Sequence, residues 1–294
     1  MNVYKTITDE TFRETTVHGK EDYPLAYYPE NIWEFDFHRI DWHWHNELEI
    51  LYVADGKIFC LVGADKIELR EGYAIFINSS VLHRYEAQGS TFTPNIVFAP
   101  TLMAAEDTLV FRKFIRPVIC SSVMYQVFDP KISWQQNILQ ILQQIFVLQR
   151  RDEKNELGTI QMVLQMWEIL FQNINLGAGD TGHRRLSQQQ AKLQIMMQYI
   201  QEHYMEEITL ERIARAASIS KSGALHIFQS GIHISPVAYL IQYRLKKAAE
   251  QLQTTQKTVS AIALDTGFSS PEYFCRQFKQ HYYMSAMEYR RKTT

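Results

Sequence analysis

Three histidines and one glutamate concentrate the chemistry of this chain. In His43-Trp44-His45-Asn46-Glu47-Leu48-Glu49, two imidazoles and a carboxylate stand at positions 1, 3 and 7. Side chains of an extended strand alternate between faces, so the odd positions share one face and His43, His45 and Glu49 can converge. His83 lies at a separation where a neighbouring strand brings a third imidazole across. Three uses suit such a quartet. Three imidazoles and a carboxylate can hold a divalent transition metal such as Fe, Ni, Mn or Zn. The same groups can hydrogen-bond a small effector inside a pocket. They can also form a polar rim that binds nothing. Trp42 and Trp44 flank the histidines, and an aromatic ring there stacks on a sugar or packs into core or rim.

Short strands have to position these groups. Residues 31–98 read as strands: Glu47–Val53 alternates with period two, and Asp55-Gly56 follows as a hairpin signal. Ile58–Val62, Ile67–Leu69, Tyr73–Ile77 and Ile96–Phe98 continue the pattern, with turns at Gly63-Ala64-Asp65 and Glu71-Gly72. Strands this short and closely spaced imply a sandwich or barrel. From residue 131 the period becomes helical. Trp134, Ile138, Ile141, Leu142, Ile145 and Leu148 share one face, and a second helix runs over about 156–175. Apolar faces of this kind often dimerise. The stretch from Gly177 to Gly182 then reads as a linker.

The chain has 294 residues, which suits two domains. Its net charge of −2 hides an asymmetry: residues 188–294 hold 13 Lys and Arg against 8 Asp and Glu, while residues 1–187 hold 17 against 24. A basic module behind an acidic one points to nucleic acid on one side only. No apolar run approaches the ~20 residues of a membrane span, and the N-terminal residues carry no signal-peptide pattern. Cys60, Cys120 and Cys275 fit neither a zinc spacing nor a disulfide framework. A reducing, cytoplasmic location is therefore expected.

The tail repeats itself at a spacing near 50 residues. Ile213-Ala214 returns as Ile262-Ala263, Ile219-Ser220 as Phe268-Ser269, Phe228 as Phe278, Ser235 as Ser285 and Tyr239 as Tyr289. Each copy reads as a helix-turn-helix, about 209–230 and 258–281. Thr209 and Ser220 serve as caps in the first. The second has Gly267 in its turn and Ser269-Ser270-Pro271-Glu272 as a capping box. In such units the second helix enters a major groove and presents its early residues to base edges. The helix Val237–Gln253, carrying Lys246, Lys247 and Arg244, the last expected to contact DNA, would space the two units to reach successive grooves about 34 Å apart.

The run Ile213–Ser220, with Ser235–Leu240, Tyr243-Arg244-Leu245, Thr266-Gly267-Phe268, Tyr273–Lys279 and Glu288-Tyr289-Arg290, closely resembles the AraC-type (AraC/XylS) bacterial transcription regulators. The resemblance covers 188–294. It implies reading helices at about 221–230 and 270–281, with Ser222, Leu225 and His226 facing the groove in the first. In the second it implies Ser270, Pro271, Glu272, Cys275, Arg276 and Lys279. Arg276 suits a bidentate contact to guanine, and Glu272 either accepts from cytosine or caps its own helix. Lys279 suits phosphate. In copy one, His226 and Gln229 replace the family's usual cations, and Gly223 weakens the helix by up to ~1 kcal/mol.

The front half resembles the cupin double motif, a small β-barrel. Its first half matches through His43, His45 and Glu49. Its second keeps Gly72 and His83 but has Asn78, Ser80 and Ala87 for the usual Pro, Gly and Asn. The implied architecture is an all-β cupin-like effector domain (1–130), helices for coupling or dimerisation (131–176), a linker (177–187) and an all-α DNA-binding domain (188–294). The implied function is a non-enzymatic, sequence-specific regulator responding to a small effector, for instance a sugar, held by Trp42, His43, His45, Glu49 and His83. No cofactor is implied beyond a divalent metal at the quartet. Expected partners are promoter DNA, RNA polymerase and a second copy of the chain, with no membrane. The alternative is a metal-dependent cupin enzyme, a dioxygenase or isomerase, fused to a DNA-binding module.

Overall fold

The computed structural model describes residues 8–9, 12–151, 155–176 and 180–293. The chain divides into two compact units, residues 1–188 and 189–294.

The first unit holds strands β1 (Leu25–Glu30), β2 (Arg39–His43), β3 (Leu48–Tyr52), β4 (Lys57–Val62), β5 (Asp65–Arg70), β6 (Ala74–Ile77), β7 (His83–Ala87), β8 (Thr93–Phe98) and β9 (Tyr125–Phe128). A five-stranded sheet runs β1-β8-β3-β6-β9 and a four-stranded sheet runs β2-β7-β4-β5. All pairings are antiparallel. The sheets share a core in which Leu51, Ile75 and Ile77 of one meet Ile58, Cys60, Val62, Leu69 and Tyr85 of the other. Each fully buried aliphatic side chain contributes about 1.5–3 kcal/mol. Between β4 and β5 the Gly63 turn closes a true hairpin. Asp55-Gly56 does not, because β3 and β4 lie in different sheets. Turn chemistry reverses the chain, but alternation alone does not say which sheet the next strand joins.

The opposite face of the five-stranded sheet carries Leu48, Ile50, Phe76, Ile96 and Phe98. Helix α1 (Arg116–Ile119) adds Val118 to this layer, and α2 (Ser133–Gln149) and α3 (Glu156–Asn173) add Ile138, Leu142, Ile145, Val163, Met166 and Leu170. The stripe on which dimerisation was expected is thus buried on the unit's own sheet, which corrects that expectation for these faces.

The second unit is helical: α4 (Asp180–His203), α5 (Leu210–Ala216), α6 (Lys221–Ile232), α7 (Pro236–Thr254), α8 (Val259–Asp265), α9 (Pro271–Tyr282) and α10 (Ala286–Thr293). Of the expected linker, 177–179 lie outside the described residues. The rest is corrected: backbone from Asp180 is already helical, since the run after Gly182 consists of residues that helices accept.

The repeat is visible bond by bond. Thr209 and Thr258 cap α5 and α8. Both helices end in a Schellman motif. In the first, Ile219 N–H donates to Ala214 O and Ser218 N–H to Arg215 O; in the second, Phe268 N–H donates to Ala263 O and Gly267 N–H to Leu264 O. Ser218 (φ 54°) and Gly267 (φ 83°) hold the left-handed positions. A Cβ on Gly267 would meet Tyr204 O at 2.5 Å, so only glycine fits there.

Helices α6 and α9 also end on left-handed residues, His233 and Tyr283. Tyr283 is 87% exposed and bears the left-handed penalty with little packing in return. Relief of about 1–2 kcal/mol is partly offset by the greater unfolded-state freedom of glycine. Tyr283→Gly should therefore raise stability by about 0.5–1 kcal/mol, or roughly 2–6 °C in melting temperature. An unchanged or lower melting temperature would refute the strain.

Candidate functional site

Strand β2 ends at His43 and β3 begins at Leu48, so the chain crosses from the four-stranded to the five-stranded sheet between them. His45 lies in that crossing. The expected single strand face is therefore corrected. Convergence comes from two strands of opposite sheets whose inward side chains meet, with His83 paired to His43 across β2 and β7.

The ligand-capable atoms of His43, His45, Glu49 and His83 lie within 4.8 Å of one another, and all four residues are buried. Nε2 of His45 and of His83 stand 3.2 and 3.0 Å from Glu49 Oε2, and Tyr85 OH donates to Glu49 Oε1 at 3.0 Å. The three Nδ1 atoms lie against backbone carbonyls: His43 on Asp41 O at 2.8 Å, His45 on Glu47 O at 3.1 Å and His83 on Val81 O at 2.8 Å. A carbonyl only accepts, so each Nδ1 carries the proton. With Nδ1 so engaged, the Nε2 atoms are left for the centre of the quartet, where those of His45 and His83 hydrogen-bond Glu49 and would turn a lone pair to a metal on losing that proton.

Burial and the nearby His83 push the His43 imidazole down to about 3, which keeps it neutral at pH 7. Burial works against ionisation of Glu49, but hydrogen bonding from His45 and His83 outweighs it and holds the carboxyl well below its usual range. Carbonyl-anchored imidazoles around a carboxylate are the arrangement that metal ligands adopt. With bonds near 2.1 Å, the ligand–ligand edges of a metal site are about 3.0–3.4 Å. The two edges to Glu49, 3.2 and 3.0 Å, match, and the full set lies within 4.8 Å, so these residue types fit a divalent transition metal once the wider separations contract onto it.

The quartet borders a cavity of about 750 Å³ between the sheets. His43, His45 and Glu49 line it, whereas His83 stands behind them. Trp42 does not line it. Its expected stacking on an effector is corrected accordingly.

The sequence reading missed several lining residues. Glu14 and His18 come from the segment before β1, where Glu14 N–H donates to Trp44 O. His18 sits 3.4 Å from Glu14 and 2.8 Å from Tyr28 OH. No periodicity reaches that segment. Asn95 and Glu30 did leave a signal, since Thr93 and Asn95 are polar positions inside the buried strand β8. Asn95 Nδ2 donates to Glu30 Oε2 at 3.0 Å.

Burial and the nearby Glu49 charge push the Glu30 carboxyl up to about 7. A carboxyl raised in the folded state stabilises fully below its unfolded value and loses that contribution as pH rises to the folded one. In chelator-treated protein, stability should therefore fall between about pH 4.5 and 7, by at most about 3 kcal/mol. Glu30→Gln should flatten that slope in a melting-temperature series against pH. Identical slopes in both proteins would contradict the assignment.

In the second unit, Ser222, Leu225 and His226 occupy the exposed face of α6, and Glu272, Cys275, Arg276 and Lys279 that of α9. Their spacing of three and four residues aligns them on one side. The buried sides carry Ala224, Ile227 and Phe228 in α6, and Phe274 and Phe278 in α9. Pro271 is the first residue of α9, half-buried. Ser270 is its cap, accepting from Tyr273 N–H at 3.2 Å. Glu272 thus falls one position short of a capping box and faces out, which corrects its expected capping role.

Arg244 is also corrected. It is partly buried, donating from Nε to Tyr204 O and from a terminal nitrogen to Glu206 O, each at 2.7 Å. Its guanidinium ties α7 to the end of α4 rather than facing outward.

The helix-turn-helix domain family matches residues 213–292 and the cupin domain family matches 36–94. The uncharacterized HTH-type transcriptional regulator YdeC of Bacillus subtilis strain 168 is 26% identical over 97% of this chain and 98% of its own. The melibiose operon regulatory protein of Escherichia coli K12 is 22% identical over 85% of this chain and 83% of its own. A solved AraC-type DNA-binding-domain regulator from Chromobacterium violaceum is 25% identical, covering 37% of this chain and 96% of that one, with a TM-score of 0.35. No helix among the described residues is long and apolar enough to cross a membrane. The chain carries an AraC-type helix-turn-helix domain behind a cupin domain, and the relatives that match most of its length are transcriptional regulators.

Proposed function

We propose that this regulator reads a specific DNA sequence with α6 and α9, and that a small molecule bound in the cupin cavity changes its DNA affinity. One observation carries the proposal. A buried polar quartet borders a cavity of about 750 Å³. Buried polar groups are costly unless they are satisfied or bind something, and enclosed sites with a few convergent polar groups are where small ligands bind. A polyhydroxylated effector suits the lining, and the E. coli relative is named for a sugar operon. His43, His45, Glu49 and His83 would hold a divalent metal, which when bound supplies a Lewis-acidic anchor for a ligand oxygen. The effector would favour one arrangement of the protein over another and so shift its population. A cytoplasmic homodimer and contact with RNA polymerase belong to the same proposal.

The test has two steps. Duplexes are selected from a randomised pool with the full chain, and small molecules are screened by thermal shift. A ligand that raises the melting temperature should change the dissociation constant for the selected duplex, and His43→Ala should abolish both effects. A ligand that binds without changing DNA affinity would refute the coupling. The metal fit also favours a second reading, a metal-dependent cupin enzyme; stoichiometric metal with turnover of a bound ligand would establish it.

A further inference from the structure

The cavity has a one-sided charge. Glu14, Glu30, Glu34, Glu49 and Asp55 line it, and among the described residues no lysine or arginine does. Two of these carboxylates are answered within the protein: Glu14 by His18 and Glu49 by His45 and His83. Glu34 and Asp55 are exposed at the rim. Glu30 differs from all four. It is half-buried in the cavity wall. It comes from β1, in the same sheet as Glu49 on β3 and the other sheet from His43 and His83, and Asn95 Nδ2 is the one donor to its carboxylate among the described residues, on Oε2. Glu30 lines the cavity, and among the described residues no donor meets its other oxygen and no ion pair reaches it. A carboxylate half-withdrawn from water among other acids is costly to ionise unless a cation or several donors meet it.

Resting on the effector reading above, we propose that the ligand of this cavity carries a cationic amine, which pairs with Glu30 while Asn95 and Tyr28 hydrogen-bond its neutral polar part. An amine relieves the excess negative charge of the cavity, whereas a neutral polyol leaves it in place and an anion adds to it. The raised pKa of Glu30 agrees in direction, because burial first and the charges of Glu49 and Glu14 after it disfavour the ionised form that an ammonium group would favour.

The experiment compares matched probes on the full chain by thermal shift and calorimetry. Glucosamine, galactosamine and putrescine are set against glucose, galactose and 1,4-butanediol, and against glucuronate, galacturonate and succinate. At least one amine should bind about tenfold or more tightly than its neutral counterpart, and the acids should not bind. Glu30→Gln should remove the preference for the amine while metal content stays unchanged. A neutral or acidic probe that binds as well as its amine overturns this inference, yet leaves the effector reading standing if it alters DNA affinity. Absence of a shift with every amine also overturns it. The comparison on the unmutated protein decides the matter even if Glu30→Gln fails to fold.

Discussion

Phe278→Ala should destabilise the second unit by about 3–5 kcal/mol. Phe278 is fully buried on the inner face of α9, with ring centroids 5.3 Å from Phe274, 4.4 Å from Tyr282 and 5.5 Å from Tyr289. Leu245, Ala248 and Leu252 of α7 and Ile262 and Ala263 of α8 close the same cluster. Small residues at Ala248 and Ala263 let the helices approach closely, so the void left by the ring cannot be refilled without moving backbone. A domain of this size is stable by roughly 5–15 kcal/mol in total, and the loss removes a large part of that. The five tryptophans, Trp33, Trp42, Trp44, Trp134 and Trp167, all lie in the first unit. Denaturation followed by tryptophan fluorescence therefore reports the first unit, and far-ultraviolet circular dichroism adds the helices of the second. Phe278→Ala should shift the helical transition to lower denaturant and leave the fluorescence transition in place. A loss below 1 kcal/mol would mean that α9 is not anchored by this ring.

On the opposite face of the same helix, Arg276→Ala should cost about 1–3 kcal/mol of binding to the cognate duplex, roughly 5- to 150-fold in dissociation constant, with non-specific binding nearly intact. Arg276 is exposed, with its guanidinium 5.3 Å from the Tyr273 ring centroid. A ring beside the stem orients the planar fork before DNA arrives. Removal should change folding stability by less than about 0.5 kcal/mol, which separates this effect from that of Phe278→Ala. Lys279→Ala is the control for a phosphate contact and should weaken specific and random DNA alike. Equal losses on both DNAs with Arg276→Ala would show that α9 does not read bases.

The strands and the repeat were legible because each rests on local pattern. The alternation in Leu48–Tyr52 and Ala74–Ile77 and the caps at Thr209 and Thr258 depend on neighbours within a few residues. What was not legible depends on partners far along the chain. His43, His45 and Glu49 do converge, but through a crossing between sheets that period two cannot reveal. Trp42 looked like a stacking platform because it adjoins a histidine, but it does not reach the cavity, and the register shift between Ile40 and His43 hides from a period-two reading which side chains do. Arg244 looked like a surface cation because its helix is amphipathic; its acceptors, Tyr204 and Glu206, lie about 40 positions upstream. Glu14 and His18 reach the cavity from a segment with no pattern at all. Ser80 stands where the cupin motif has glycine and takes the left-handed angle regardless, at φ 60°.

The two helix-turn-helix units, sharing one design down to their Schellman bonds, are held here to read one DNA site together. Hydroxyl-radical footprinting of the full chain on its selected duplex tests this most directly. Two protected patches should appear with centres about 10–10.5 base pairs apart, one for each unit in successive major grooves. A single patch, or uniform protection without sequence preference, would contradict it.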